Sequence, residues 1–304
     1  MKYETLWRRL SGIYDTDEAK AIVRWVLDER FGFSLTDIVC GKLDEMSQAE
    51  CDALEEMMSR LEQGEPVQYV LGVAEFCGRR FHVAPGVLIP RPETGEMCEE
   101  VKGKFLRPCG SKRAKLERKG SYRFAQELKG QYHILDIGTG SGCIAITLAL
   151  EMPGAKVTAW DVSEEALSIA RKNAEVLGAE VTFEKRDVLD YSLFTIHYSL
   201  PLWDLIVSNP PYVCEREAAE MEKHVLEHEP HLALFVPDDD PLRFYRAIAE
   251  YGVTALKPNG LLYFELNPVY ALETEAMLKD LGYVETEIKR DMFGKQRFLK
   301  AKKI

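Results

Sequence analysis

The residues best suited to chemistry stand in short, separate clusters. Val207-Ser208-Asn209-Pro210-Pro211-Tyr212 ends an apolar run, Trp203-Asp204-Leu205-Ile206-Val207, that reads as a buried parallel strand. Two consecutive prolines hold the loop after it rigid and contribute no amide hydrogen. Asn209 offers a side-chain carbonyl and Pro210 a main-chain one, beside the aromatic face of Tyr212. Two acceptors next to a ring suit a planar group carrying NH2, an amide or an exocyclic amine, because each acceptor takes one of its hydrogens. On these four residues alone, a proline-rich turn capped by Asn209 is the alternative.

A second cluster follows another apolar run. Ile134-Leu135-Asp136-Ile137 leads into Gly138-Thr139-Gly140-Ser141-Gly142 and then a helical stretch from Cys143 to Leu150. Strand, glycine turn and helix make a nucleotide-binding unit: glycines let backbone approach a ligand closely, and the helix N-terminus favours negative charge such as a carboxylate. No Lys follows, which excludes a phosphate-cradling P-loop, and Cys143 stands where the dinucleotide pattern needs glycine. The next strand, Lys156-Val157-Thr158-Ala159-Trp160, ends at Asp161, roughly twenty residues past the turn, where an acid can accept both ribose hydroxyls. Asp161 as a helix cap is the alternative. Asp187, after the strand Val181-Thr182-Phe183-Glu184, can accept from an adenine amino group. His224, His228 and His231 have metal-like spacing, but Pro230 interrupts a shared helix, so no metal site is expected and a polar loop over the cleft is.

These clusters need a scaffold, and the order of elements supplies one. Strands alternate with helices at 164–177, 241–256 and 271–281, a strand covers 261–265, and two strands close the chain, which predicts a doubly wound α/β sheet. In such sheets ligands bind at the carboxyl ends of the strands, where all the clusters lie. The first part of the chain is different. Ala19 to Phe31 puts Ile22, Val23, Val26 and Leu27 on one face, Ser47 to Leu61 repeats the pattern, and Ser47 with Glu50 is a capping box. Gly64-Glu65-Pro66 then stops the helix, so residues 1–65 are expected to form a helical bundle. Residues 66–90 read as a hairpin linker whose strands, Gln68 to Gly72 and Phe81 to Val83, join through Cys77-Gly78-Arg79-Arg80. In Val87-Leu88-Ile89-Pro90-Arg91-Pro92-Glu93-Thr94 the prolines fix an extended segment presenting Arg91 and Glu93 outward.

Composition narrows the partners. The 304 residues carry a net charge of -11, which argues against extended contact with a phosphate backbone. Residues 102–129 go against that trend with ten Lys or Arg and two acids, a run read mainly as solvated; nucleic acid is expected, if at all, only through this insertion. No apolar run is long enough to span a bilayer, there is no signal-peptide region, and seven cysteines form no C-x-x-C pair. A cytoplasmic protein with reduced thiols is expected.

Taken together, Asp136-Ile-Gly-Thr-Gly-Ser-Gly142, Asp161 and Asn209-Pro-Pro-Tyr212 resemble the class I S-adenosylmethionine-dependent methyltransferases, and the Asn-Pro-Pro-Tyr form resembles those that methylate planar nitrogens. Pro66-Val-Gln-Tyr-Val-Leu-Gly72, Phe76-Cys-Gly78, Phe81-His-Val83, Val87 to Thr94 and Glu229-Pro230 resemble the peptide chain release factor glutamine methyltransferases, over almost the whole chain. The resemblance implies a seven-stranded Rossmann-like methyltransferase domain over 91–304, joined through the hairpin to an N-terminal helical domain. Because the boundary at Gly64-Glu65-Pro66 separates a bundle with no catalytic constellation from the domain that holds the whole one, residues 1–65 are expected to dock the substrate protein, with a packing appendage as the alternative. The resemblance also implies methylation of glutamine N5 in the Gly-Gly-Gln motif of release factors, with S-adenosyl-L-methionine as methyl donor. Carried over by motif, Gly138, Thr139, Gly140, Ser141, Gly142, Asp161, Asp187, Val188 and Asn209 bind the cofactor. Asn209, Pro210, Pro211 and Tyr212 hold the glutamine amide, with Asn209, Pro210 and Tyr212 catalytic. Gly95, Asn267 and the long basic stretch depart from the usual pattern.

Rivals use the same loop. Acidic net charge weighs against an adenine N6 methyltransferase of nucleic acid, and Arg91-Pro92-Glu93-Thr94 weighs against a ribosomal-protein glutamine methyltransferase. An intact glycine turn, ribose acid and Asn-Pro-Pro-Tyr loop in one chain weigh against a non-catalytic binding module.

Overall fold

A computed structural model describes residues 2–105, 132–190 and 203–304. Most of the basic insertion lies outside the described residues. The N-terminal region is helical: α1 (Tyr3–Leu10), α2 (Thr16–Phe31), α3 (Leu35–Val39), α4 (Gln48–Glu62) and α5 (Val67–Leu71). Local chemistry sets its boundaries. Asp15 accepts from the amides of Asp17 and Glu18 at the start of α2, Gly32 closes that helix at a φ of 68°, and Ser47 and Glu50 form the expected reciprocal box on α4. The apolar faces meet in one cluster that runs from Leu6 through Leu27 and Leu54 to Val67 and Val70.

The linker departs from expectation. Gln68 to Gly72 is not a strand: α5 covers it, packs Val67 and Val70 into the bundle, and ends at Gly72 in the left-handed conformation. The short apolar run has no turn signal before Gly72, and tertiary burial decides its state. The hairpin comes next, with β1 (Val73–Phe76) antiparallel to β2 (Arg79–His82). Its two-residue turn, Cys77-Gly78, has positive φ at both positions, 48° and 69°, the twist that suits a tight hairpin. A second departure follows. Pro92 starts helix α6 (Pro92–Phe105), where a missing amide hydrogen costs nothing, so Glu93 and Thr94 are helical. Arg91 does not point outward; it pairs with the buried carboxylate of Glu229 at 2.5 Å.

The remainder alternates as expected: β3 (His133–Ile137), α7 (Cys143–Glu151), β4 (Lys156–Asp161), α8 (Glu164–Leu177), β5 (Val181–Lys185) and β6 (Trp203–Ser208). A loop region then carries β7 (Val213–Cys214), α9 (Lys223–His228), α10 (His231–Leu234) and β8 (Phe235–Val236). It is followed by α11 (Arg243–Ala255), β9 (Leu256–Glu265), α12 (Ala271–Asp280), β10 (Val284–Arg290) and β11 (Gln296–Lys302). Among the described residues the main sheet has seven strands in the order β10-β11-β9-β6-β3-β4-β5, with β11 antiparallel to both of its neighbours. Each central strand is apolar on both faces. β3 sends Leu135 and Ile137 into the cluster beneath α11 and α12, and Ile134 into the cluster with α6, α7 and the hairpin.

This order sets the site. The chain steps outward from β3 through β4 to β5, then crosses to β6 on the other side of β3, so the loops after β3 and β6 part at the carboxyl edge of the sheet and leave a crevice. Ile137 and Ser208 are register partners, and the Ser208 hydroxyl donates to Ile137 O at 2.6 Å, which fixes Gly138 beside Asn209.

Candidate active site

A cavity of about 310 Å³ occupies that crevice. Among its lining residues are Gly138, Gly140, Asp161, Asp187, Val188, Asn209, Pro210 and Pro211. Thr139, Ser141, Gly142 and Tyr212 do not line it. The reason lies in the turn itself. Gly142 packs inward at a φ of 83°, where an added Cβ would stand 2.9 Å from Ile146 Cδ1 and 3.1 Å from Ala170 Cβ. Ser141 and Thr139 are buried. Thr139 Oγ1 donates to Asp136 Oδ2 at 2.6 Å, and the Ala145 amide donates to the same oxygen. Asp136 is fully buried, its other oxygen has no protein partner, and burial, partly offset by those two donors, pushes its pKa up to about 7. Asn173 on α8 completes the support: its amide donates to Ser141 O and His82 O and accepts from the His82 amide, tying hairpin, helix and glycine turn together.

Asp161 faces the cavity from the end of β4. Its carboxylate accepts from the Gly140 amide at 2.8 Å and the Ser163 amide at 2.9 Å, while the cap of α8 is Ser163, whose hydroxyl accepts from Ala166. Asp161 is therefore not the helix cap. Burial raises its pKa against the pull of those backbone donors, and each oxygen keeps acceptor capacity for a ligand hydroxyl. Asp187 is exposed at the rim and accepts from the Leu189 amide, beside the buried Val188.

The wall after β6 is held differently. Asn209 Nδ2 donates to Thr94 Oγ1 at 3.3 Å, and Thr94 Oγ1 donates to Glu265 Oε2 at 2.6 Å. Tyr212 reaches behind the loop, donating its hydroxyl to Glu265 Oε1 at 3.1 Å. Glu265, at the end of β9, is 2% exposed; burial raises its pKa, and Thr94, Arg297 and Tyr212 draw it back down. Asn267, one of the departures noted in the sequence, donates to Tyr212 O at 3.0 Å and to Glu217, and caps Val269. It anchors the loop from outside.

Sequence reasoning missed several of these parts. Val87 and Leu88 line the cavity, as do Phe244 and Ile248 of α11. An apolar pair before Pro90 was the available signal for the first two; helical periodicity on α11 marks core positions and lining positions alike. Glu229, next to Pro230, accepts from both Arg91 and the Ile89 amide, and so closes the segment around Leu88 against the loop carrying Leu232 and Ala233. The three histidines separate: His224 meets Glu222, His231 faces Leu226 O, and no metal-ligand cluster occurs among the described residues.

Fold and site together define an α/β methyltransferase of the Rossmann-like class. Residues 7–72 match the PrmC N-terminal domain and residues 115–232 the methyltransferase small domain. The release factor glutamine methyltransferase of Bacteroides thetaiotaomicron is 47% identical over 292 residues, 96% of this chain and 95% of that one. That of Flavobacterium psychrophilum is 38% identical over 96% of this chain and 94% of its own. The chain belongs to the release factor glutamine methyltransferase family. A methyltransferase from Pyrococcus furiosus shares the fold, with a TM-score of 0.51 at 19% identity over 82% of this chain and 98% of its own. No helix among the described residues is long and apolar enough to cross a membrane.

Proposed function

We propose that this protein transfers the methyl group of S-adenosyl-L-methionine to the N5 amide nitrogen of the glutamine in the Gly-Gly-Gln motif of peptide chain release factors. One observation carries the reading: Asn209 lines the same cavity as Gly138, Gly140 and Asp161, so an amide held at one wall faces a nucleoside held at the other. Membership of the release factor glutamine methyltransferase family supports it. The donor would supply an electrophilic methyl on a sulfonium that becomes a neutral thioether as the carbon–sulfur bond breaks, while the amide nitrogen that takes the methyl gives up one of its two hydrogens as a proton to solvent.

Gly138 and Gly140 let the backbone approach the cofactor, Asp161 accepts its ribose hydroxyls, and Asp187 with Val188 frames the adenine. Thr139, Ser141 and Gly142 act beneath the surface by shaping the turn. An amide nitrogen is a poor nucleophile because its lone pair is delocalised. Accepting its hydrogens at Asn209 Oδ1 and at Pro210 O orients the lone pair toward the methyl and raises its electron density. Pro210 and Pro211 keep the acceptors fixed, and Tyr212 braces the loop from behind. Asn209 and Pro210 form the catalytic pair on this reading, and Tyr212, outside the cavity, acts through the loop it braces.

We assign residues 1–65 to docking of the release factor, 66–90 to the linker and 91–304, with the basic insertion 102–129, to catalysis, in the cytoplasm where translation ends. Mass spectrometry of a release factor incubated with this protein and S-adenosylmethionine tests the reading. A gain of one methyl group on the Gly-Gly-Gln glutamine is expected; an unmodified factor with a protein that binds the cofactor would overturn it.

A further inference from the structure

The hydrogen bonds behind Asn209 have a direction, and one residue sets it. Glu265 is buried and receives two donors, Tyr212 on Oε1 and Thr94 on Oε2. In its ionised form, favoured by the Arg297 charge and by these two donors, the Glu265 carboxylate has no hydrogen to give, so the Thr94 hydroxyl spends its single hydrogen on Glu265. Only lone pairs then remain on Thr94 Oγ1 for Asn209. The NH2 of Asn209 must face Thr94, as observed at 3.3 Å, and its carbonyl oxygen must face away, on the side of the cavity. Reversed, Asn209 would present hydrogens to a substrate that also presents hydrogens.

We infer that Thr94 and Glu265 are positioning residues for methyl transfer, which hold the Asn209 carboxamide in the single orientation that accepts a hydrogen from the substrate amide. The inference rests on the reading of Asn209 as the residue that holds that amide. Neither residue lines the cavity, so both act through Asn209. They come from elements far apart in the chain, the first turn of α6 and the last residue of β9, and both are 2% exposed. Glu265→Gln makes the logic visible. A Gln side chain accepts on one atom and donates on the other, so it either reverses the Thr94 hydroxyl, and Asn209 with it, or gives up the hydrogen from Tyr212.

The test compares full-length variants by steady-state kinetics on a release factor, with the Kd for S-adenosylmethionine from calorimetry. Thr94→Val is expected to lower kcat by about tenfold or more with the cofactor Kd within about twofold, and Thr94→Ser to restore kcat to within about threefold. Glu265→Gln should lower kcat similarly, and adding Thr94→Val to it should cost less than about twofold more, because residues acting in one line are not additive. Should Thr94→Val not fold, Thr94→Ala against Thr94→Ser makes the same comparison. Native kcat in the valine or alanine variant, with Asn209→Ala slowed, overturns the inference. So does a Thr94→Ser variant as slow as Thr94→Val, since the hydroxyl would then not matter. Native kcat in Asn209→Ala instead overturns the underlying reading of Asn209.

Discussion

Both walls of the cavity rest on a buried carboxylate, but the two supports are built at different ranges. The glycine turn sits on Asp136, whose partners Thr139 and Ala145 lie within the same strand, turn and helix. The Asn-Pro-Pro-Tyr loop sits on Glu265, whose partners Thr94 and Tyr212 come from separate elements. One acid also has an oxygen without a protein partner, whereas both oxygens of the other are used. A wall assembled locally can be rigid as soon as its own segment folds; a wall assembled from α6, β6 and β9 exists only when the sheet is complete. Binding of a nucleoside and positioning of an amide should therefore respond to different sets of substitutions.

The largest expected effect separates the walls most cleanly. Asn209→Ala should lower methyl transfer roughly a hundredfold or more while the Kd for S-adenosylmethionine stays within a few-fold, as when positioning alone is lost. Single-turnover assays beside calorimetry resolve the two, and a near-native rate would defeat the two-acceptor account.

Asp136 gives the next effect. Its folded-state pKa of about 7 lies above the unfolded value of about 3.9, so folding favours the protonated acid. That preference stabilises fully below about pH 4 and is lost as pH rises through about 7. Asp136→Asn keeps a carbonyl for Thr139 and Ala145 without the charge. Relative to the variant, the native protein should therefore lose roughly 2 to 3 kcal/mol of stability between pH 5 and pH 8. Denaturant titrations at both pH values measure it, and a stability difference that does not change with pH would show that Asp136 is not the cause.

Asp161→Ala tests the cofactor wall directly. Loss of a carboxylate that accepts ribose hydroxyls should cost about 2 kcal/mol, a roughly thirtyfold weaker Kd, with kcat at saturating cofactor close to native. An unaltered Kd would confine Asp161 to its observed bonds with the Gly140 and Ser163 amides.

The smallest contrast lies within the turn. Gly140 and Gly142 both have positive φ, but an added Cβ meets nothing within 4 Å at Gly140 and collides with Ile146 and Ala170 at Gly142. Gly142→Ala should cost about 1 kcal/mol more stability than Gly140→Ala. Equal losses would mean that α7 and α8 yield to the methyl group.

The same contrast of ranges explains what could be read from the sequence. Strand, glycine turn, helix and Asp161 were legible because each is signalled by residues next to it, and the capping box on α4 likewise. The doubly wound order followed from alternation alone. Thr94 was visible only as part of a proline-flanked segment, and Glu265 only as the end of a strand, because nothing in one sequence says that residues 94, 209 and 265 meet. Arg91 was misplaced for the same reason: its partner, Glu229, is remote in the chain and buried. The strand expected at Gln68 to Gly72 failed in the opposite way, since Val67 and Val70 are claimed by the bundle core whatever their local preference.

Gly95 is one of the departures from the family pattern, and its surroundings show what a larger side chain there would meet. A Cβ built there would stand 3.2 Å from Cys77 Sγ, in the hairpin turn. A side chain at 95 therefore asks the Cys77 thiol to give by a few tenths of an ångström, and a smaller residue at 77 would remove the contact. Any change at 95 is felt at once in the hairpin turn, so the linker and the helix bearing Thr94 are mechanically joined at this point.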